Sequence, residues 1–256
     1  MNILVLMAGR GQRFVNEGYT KPKPLLEVNG KSILQWTTES CPYIKHGGRN
    51  QDESIKLHFA VLQEHLEEGL DQFLYSIYGR NIEIIPFKEV TRGSMDTAQI
   101  AASKMLNKNS PLLVLDADNK YNNNGLMKFI NKLPKQNNAM AVACFDNPDR
   151  SLPNKWSNVK LDKGQVIGIK EKDDAWINEP TLIGIFYFGN TQFFVEYAKT
   201  IMIFKEAVRF NGNAEYYMSM VPEYNLTINI PVYVHTVTDV VPLGTPDDFK
   251  KFEVAA

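Results

Sequence analysis

Cysteine, histidine and net charge are all scarce in this 256-residue chain. Its two cysteines, Cys41 and Cys144, stand far apart with no Cys-x-x-Cys partner, which excludes a disulfide framework and a thiolate zinc site. The four histidines, His46, His58, His65 and His235, show neither His-x-x-His nor His-Glu-x-x-His spacing, so they read as structural or solvated side chains. Basic and acidic residues nearly cancel, 28 against 29, for a formal charge of -1. That balance gives no electrostatic excess for a nucleic acid or an acidic membrane, so any phosphate must be bound by local geometry. No apolar run is long enough to span a bilayer. The first one, Ile3 to Ala8, is also too short for a signal h-region, and a cytoplasmic location is expected. Repeats and low-complexity tracts are missing as well.

What is present belongs to a chain that buries a substantial core. Hydrophobic residues make up 44% and charged residues 22%, which excludes wholesale disorder and fits one large α/β domain over 1–256. Asn2 to Met7 is a continuous apolar strand, the pattern of a strand buried on both faces of a parallel sheet. It leads into a loop at Ala8 to Thr20. Further strands are predicted at Ile55 to Leu62, Asn81 to Pro86 and Pro111 to Leu115. Between them, Leu66, Leu70, Phe73, Leu74 and Ile77 share one helical face. Met95, Ala98, Ala101, Ala102, Met105 and Leu106 share another. This βα alternation sets off a first half, 1–135.

The half from 136 to 256 changes pattern. Closely spaced strands at Ala139 to Phe145, Val159 to Leu161, Val166 to Lys170 and Leu182 to Phe188 predict an added, partly antiparallel sheet. A helix capped by Asn190 should follow, then a polar turn at Asn211 to Asn213, a helix near Glu215 to Tyr224 and a strand at Ile228 to Val237. Thr245-Pro246-Asp247-Asp248 opens the last helix with a capping hydroxyl, a first-turn proline and a carboxylate three residues on. Pro42 to Ser54 is expected to be the mobile loop.

Two clusters carry chemistry. After the first strand comes Leu6-Met7-Ala8-Gly9-Arg10-Gly11-Gln12-Arg13-Phe14, followed by Pro22-Lys23-Pro24-Leu25. Two glycines flanking one residue let backbone N–H groups close on an anion, while Arg13 and Lys23 add positive charge, a phosphate cradle. The plainer alternative is a strand-to-turn connection with surface cations. A dinucleotide site is rejected, because Phe14 occupies the place of the third glycine and no ribose-binding acid follows. The second cluster, Asp116-Ala117-Asp118-Asn119, sets two carboxylates at the carboxyl end of a buried strand, where open α/β sheets bind ligands and where hard oxygens suit Mg²⁺. Taken singly, either aspartate could be a turn former. Together the clusters specify phosphoryl or nucleotidyl transfer better than acyl transfer or redox work. The Glu171-Lys172 end of the strand at 166–170 reads on its own as a solvated edge, and Glu215 as a first-turn helix acid.

The cradle resembles the L-x-A-G-x-G-x-R and P-K-x-L signature of nucleotidyltransferases that make NDP-sugars and related activated compounds. Similar matches run through the chain at Gly93-Ser94 to Ala98, Asp118-Asn119, Glu171-Lys172, Gly184 to Phe188 and Gly244-Thr245-Pro246. The resemblance implies a Rossmann-like, GT-A-type α/β/α core with a mixed central sheet and a small added antiparallel sheet. It also implies Mg²⁺-dependent attack on the α-phosphorus of a nucleoside triphosphate, with release of pyrophosphate. By the same resemblance Met7, Ala8, Gly9, Gly11, Gly93, Ser94 and Asp116 would contact the nucleotide. Arg13, Lys23 and Lys172 would be catalytic, Glu171 and Gly184 would face the acceptor, and Asp118 would hold the metal.

Departures shape the expectation. No glutamine precedes Gly93, and Pro242-Leu243-Gly244-Thr245 lacks the aspartate of a closing D-x-G-T, so Glu215, with Asp239 in reserve, is the candidate second metal ligand. Asp116 to Asn119 is similar to the phosphocholine cytidylyltransferases, and the short chain looks like their small capsule-associated branch. The expected partners are therefore CTP and a small phosphorylated acceptor such as phosphoglutamine, with neither nucleic acid nor membrane; a homodimer is compatible with the sequence. The rivals are a sugar-1-phosphate nucleotidyltransferase, a glycosyltransferase using Asp-x-Asp, and a regulatory nucleotide-binding module without turnover. Pyrophosphate release separates the transferase readings from the last two.

Overall fold

The computed structural model describes residues 1–47, 52–123, 125–149, 156–210 and 212–254. Strand β1 (Asn2–Met7) is the middle of the molecule, as its unbroken apolar run predicts. The stretch expected to be a plain loop after it contains a short helix, α1 (Gln12–Asn16), entered through Gly11 at φ 64. Next come a hairpin of β2 (Glu27–Val28) and β3 (Lys31–Ser32), and α2 (Ile33–Ser40). Helix α2 was not expected, although Ser32 and Gln35 form a reciprocal capping box at its start. Residues 48–51 of the segment expected to be mobile lie outside the described residues.

Strand β4 (Lys56–Leu62) leads to two helices where one was expected: α3 (Gln63–Glu67) and α4 (Leu70–Tyr78), parted at Gly69 with φ 86. Then follow β5 (Ile82–Phe87), α5 (Ser94–Lys104), β6 (Leu112–Asp116), β7 (Asn119–Asn122) and α6 (Leu126–Lys132). Helix α5 stops at Lys104, so Leu106, expected on its buried face, is 98% exposed.

In the second half, β8 (Met140–Phe145), β9 (Ser157–Asp162), β10 (Gln165–Glu171) and β11 (Thr181–Phe188) match the predicted strands closely. Asn190 caps α7 (Thr191–Phe204) by accepting from the Phe193 amide at 2.9 Å. Two expectations fail next. The helix near Glu215 begins only at Met220, because residues on either side of the turn pair as β12 (Val208–Phe210) and β13 (Asn213–Glu215); Asn211 lies outside the described residues. The remaining elements are α8 (Met220–Thr227), β14 (Val232–Thr236), β15 (Thr238–Pro242) and α9 (Pro246–Val254). Ile228, expected to open a strand, instead closes α8. Thr245 caps α9, accepting from the Asp248 amide at 3.2 Å and donating to its carboxylate at 2.7 Å.

Nine strands form one mixed sheet with the path β10-β9-β11-β6-β1-β4-β5, and β8 pairs with β11 and β14. The β6-β1-β4-β5 block is parallel, and β11 joins it antiparallel through β6. Three separate antiparallel pairs, β12-β13, β15-β7 and β2-β3, flank the central sheet. Strand alternation gives each face its own core. Leu4 packs with residues of α5 and α7 on one side, while Ile3, Val5 and Met7 pack with α2, α4 and α6 on the other. A third cluster joins Phe14 of α1, Leu26, Ile33 of α2, Leu243 and Phe249 of α9, so the glycine turn is braced by residues from both ends of the chain. No helix among the described residues is long and apolar enough to cross a membrane.

Candidate active site

Two cavities open where the carboxyl ends of β1 and β6 meet, the region where parallel strands leave ligands room. The larger, about 640 Å³, is lined by Met7, Ala8, Gly9 and Gly11 after β1 and by Gly93 and Ser94 at the start of α5. Lys23 and Glu215 complete its walls. The smaller, about 260 Å³, is lined by Arg13, Glu171, Lys172, Gly184 and Tyr217, with Thr245 and Asp248 at the start of α9. Asp116, Asp118 and Ser94 line both. Every side chain singled out in the sequence therefore borders one cavity or the other, apart from Asp239. That residue lies on β15 beside Trp36 and Asn122, in a different depression. Both cavities draw on both halves of the chain, since Glu215 lines the first and Arg13 the second.

The shared carboxylates are held tightly. Lys23 Nζ donates to Asp118 Oδ2 at 2.5 Å, with the two side chains 19% and 28% exposed. Asn119 Nδ2 donates to Asp118 Oδ1 at 3.2 Å and to the Ile183 carbonyl at 3.2 Å, which orients the carboxylate from behind. The Asn119 amide in turn donates to Thr37 Oγ1 of α2 at 3.1 Å. Gly184 explains why a glycine stands in an otherwise bulky strand. Its φ is 76, and a Cβ there would lie 2.2 Å from Asp116 Oδ2. Burial, and next the neighbouring Asp118 charge, push the Asp116 carboxyl above the ordinary carboxylate range, against the pull of Lys23.

That raised carboxyl tests the fit for Mg²⁺. Two hard-oxygen carboxylates that repel each other where the two cavities meet are a suitable donor set for an ion that takes one or two carboxylates and completes its shell with ligand phosphates and water. Among the described residues no three acidic, histidine or cysteine side chains converge tightly enough to form an all-protein cage. The residues present thus fit a metal brought in with a phosphate better than one held alone.

Around the smaller cavity the Glu171 carboxylate accepts from Ser157 Oγ and, at 2.5 Å, from Ser219 Oγ. Burial raises its carboxyl, while the two serine hydrogen bonds oppose the rise. Lys172 follows it at φ 54, and its Nζ donates to Tyr217 Oη at 2.5 Å. Burial lowers the Lys172 ammonium, with Glu171 and Glu215 acting the other way. Arg13, exposed on α1, forms no ion pair among the described residues. The edge reading of Glu171 and Lys172 and the helix-acid reading of Glu215 are both corrected: the first two line a cavity, and Glu215 sits on β13. Sequence reasoning missed Ser157, Ser219, Tyr217 and Thr37. Only Thr37 had a local signal, the capping box that starts its helix.

A sequence profile of the family described as Nucleotidyl transferase matches residues 2–210. An N-acetylmuramate alpha-1-phosphate uridylyltransferase of Neisseria meningitidis serogroup B is 34% identical over 119 residues, covering 46% of this chain. The chain spans about half, 47%, of the length of that relative. A nucleoside-diphosphate-sugar pyrophosphorylase from Vibrio cholerae RC9 has a similar fold, with a TM-score of 0.75 at 19% identity over 99% of this chain and 100% of that one. The inositol-1-phosphate CTP transferase from T. maritima gives a TM-score of 0.71 at 13% identity, over 99% of this chain and 94% of the other.

Proposed function

The chain belongs to the nucleotidyl transferase family, and from that membership we propose that it transfers CMP from CTP to a small phosphorylated acceptor such as phosphoglutamine, releasing pyrophosphate. The observation that carries this is the junction of the two cavities at Asp116 and Asp118, which would give a triphosphate and a second phosphate adjoining places with the carboxylates between them. Backbone atoms of Met7, Ala8, Gly9 and Gly11 would follow the nucleoside and its phosphates, and Gly93 and Ser94 would close on the base. Lys23 and Arg13 would cancel charge on the triphosphate. Lys172 would hold the acceptor's phosphate, with Glu171 and Gly184 shaping the remaining wall.

Asp118, with Asp116 and Glu215 beside the same cavity, would hold Mg²⁺, whose chemistry is to neutralise the phosphates and polarise the α-phosphorus. The protein itself needs no general base, because an acceptor phosphate is already anionic near neutral pH. What the side chains do is align two repelling anions and offset their charge. Residues 1–135 would supply most of the nucleotide wall and residues 136–256 most of the acceptor wall. The resemblance of Asp116 to Asn119 to the phosphocholine cytidylyltransferases supports the choice of CTP, and the resemblance to their capsule-associated branch supports a cytoplasmic role in capsular polysaccharide modification. The match to a uridylyltransferase favours one second reading, transfer of UMP to a sugar 1-phosphate.

A pyrophosphate-release screen of four nucleoside triphosphates against phosphocholine, phosphoglutamine and several sugar 1-phosphates, with and without Mg²⁺, tests both. Turnover with CTP and phosphoglutamine is the expected result. Turnover restricted to UTP and a sugar 1-phosphate would replace the first reading with the second, and release of a nucleoside diphosphate would remove both.

A further inference from the structure

Lys172 is a poor anion contact unless something restrains it, because its ammonium sits at the end of a flexible four-carbon stem. Its backbone is fixed: the amide donates to the Trp156 carbonyl at 3.0 Å, and φ is 54, so the residue departs from the alternation of β10 as it leaves the strand. The side chain reaches Tyr217, with Nζ 2.5 Å from Oη and 4.0 Å from the ring centroid. Tyr217 belongs to a stretch that is anchored along its length. The Tyr216 amide donates to the Arg92 carbonyl at 2.7 Å, the Met95 amide to the Tyr216 carbonyl at 2.9 Å, and the Met218 amide to Ser94 Oγ at 3.1 Å. The approach is close enough that a Cβ on Gly93, whose φ is 128, would lie 2.5 Å from the Tyr216 carbonyl oxygen. The next residue, Ser219, grips Glu171.

Burial, followed by the Glu215 and Glu171 charges, holds the phenol's ionisation well above the ordinary tyrosine range. Glu215, two residues before it, lines the larger cavity, so the stretch that accepts from Lys172 borders both cavities. Glu171 is held by Ser157 of β9 and by Ser219, and Lys172 by Tyr217.

We propose that Tyr217 is a positioning residue for the acceptor: by fixing Lys172 Nζ from a stretch bolted to Arg92–Met95, it holds the ammonium where the acceptor's phosphate must lie relative to the nucleotide. The inference deepens the reading of Lys172 given above and rests on it. The test is steady-state kinetics of Y217F, which keeps the ring and removes only the hydroxyl, beside K172A and the double variant, with CTP and the acceptor varied separately. Y217F should raise the acceptor KM about tenfold, the scale of a lost hydrogen bond to a charged group. The KM for CTP should stay within about twofold, and Y217F should add almost nothing in the K172A background. A merely structural tyrosine would move both KM values together. Equal rises in the two, effects that multiply in the double variant, or an unchanged acceptor KM in Y217F while K172A raises it, would overturn the positioning role and leave Lys172 as the phosphate contact. An unchanged acceptor KM in K172A would remove that contact, and the role of Tyr217 with it.

Discussion

The cavity beside Gly9 and Gly11 takes most of its wall from short continuous segments, whereas the cavity beside Glu171 is assembled from side chains of β9, β10, β11, α9 and the stretch before α8. In the first, backbone atoms and a glycine turn do the shaping, so local sequence carries the information. In the second, each functional group is held by a residue distant in the chain: Glu171 by Ser157 and Ser219, Lys172 by Tyr217. On the function proposed above, a wall of backbone would serve the nucleotide, while a wall of side chains can be changed one residue at a time to suit a particular acceptor. The carboxylates where the cavities meet belong to both, so damage there should not discriminate between them.

The largest expected effect is therefore at the junction. Asp118→Asn keeps the shape and loses the charge; Mg²⁺-dependent turnover should fall by about a thousandfold, the upper range for one electrostatic contact in a transition state. Circular dichroism should remain native, and wild-type rates would remove the metal assignment. Lys23→Ala should come next, with turnover lowered by about a hundredfold and the loss seen with every acceptor, because the lysine lines the larger cavity, proposed above to hold the nucleotide. A change under about threefold would mean that the pairing with Asp118 is structural only.

Gly184→Ala attacks the other wall. Its backbone conformation alone costs a non-glycine residue about 1–2 kcal/mol, and the new methyl must displace the Asp116 carboxyl. Urea unfolding should show at least that loss, and turnover and CTP binding, followed by fluorescence or calorimetry, should fall together, because Asp116 lines both cavities. Unchanged unfolding would show that the strand can relax around the methyl. Smallest of all, Arg10→Ala removes an exposed pair with Glu64, 3.2 Å apart with side chains 53% and 48% accessible. Stability should change by less than about 1 kcal/mol, which a urea midpoint can check.

The same contrast explains what could be read from sequence. Strands β1, β4, β6, β8 and β11 are buried along nearly their whole length, so their apolar runs were legible, and the Asn190 and Thr245 caps were legible because a cap is a local hydrogen bond. Helix α2 was missed because it is short and buries threonines and a serine among its apolar residues, blurring the helical stripe. Glu215 was placed on a helix because propensity cannot register the backbone pairing of β12 with β13. The glycine turn and the aspartate pair were visible as motifs. Ser157, Ser219 and Tyr217 were not, because their worth depends on a partner 14, 48 and 45 residues away.

One arrangement behind Asp118 covers the edge of a short strand. The Asn119 and Tyr121 amides of β7 donate to the Thr37 and Ser40 hydroxyls of α2 at 3.1 and 3.0 Å, so a helix satisfies donors that a neighbouring strand would otherwise claim. With β15 on its other side, β7 offers no bare ladder along those residues. An extended segment from another molecule finds nothing there to zip onto, and this short ribbon is guarded against the edge-to-edge association that leads to aggregates.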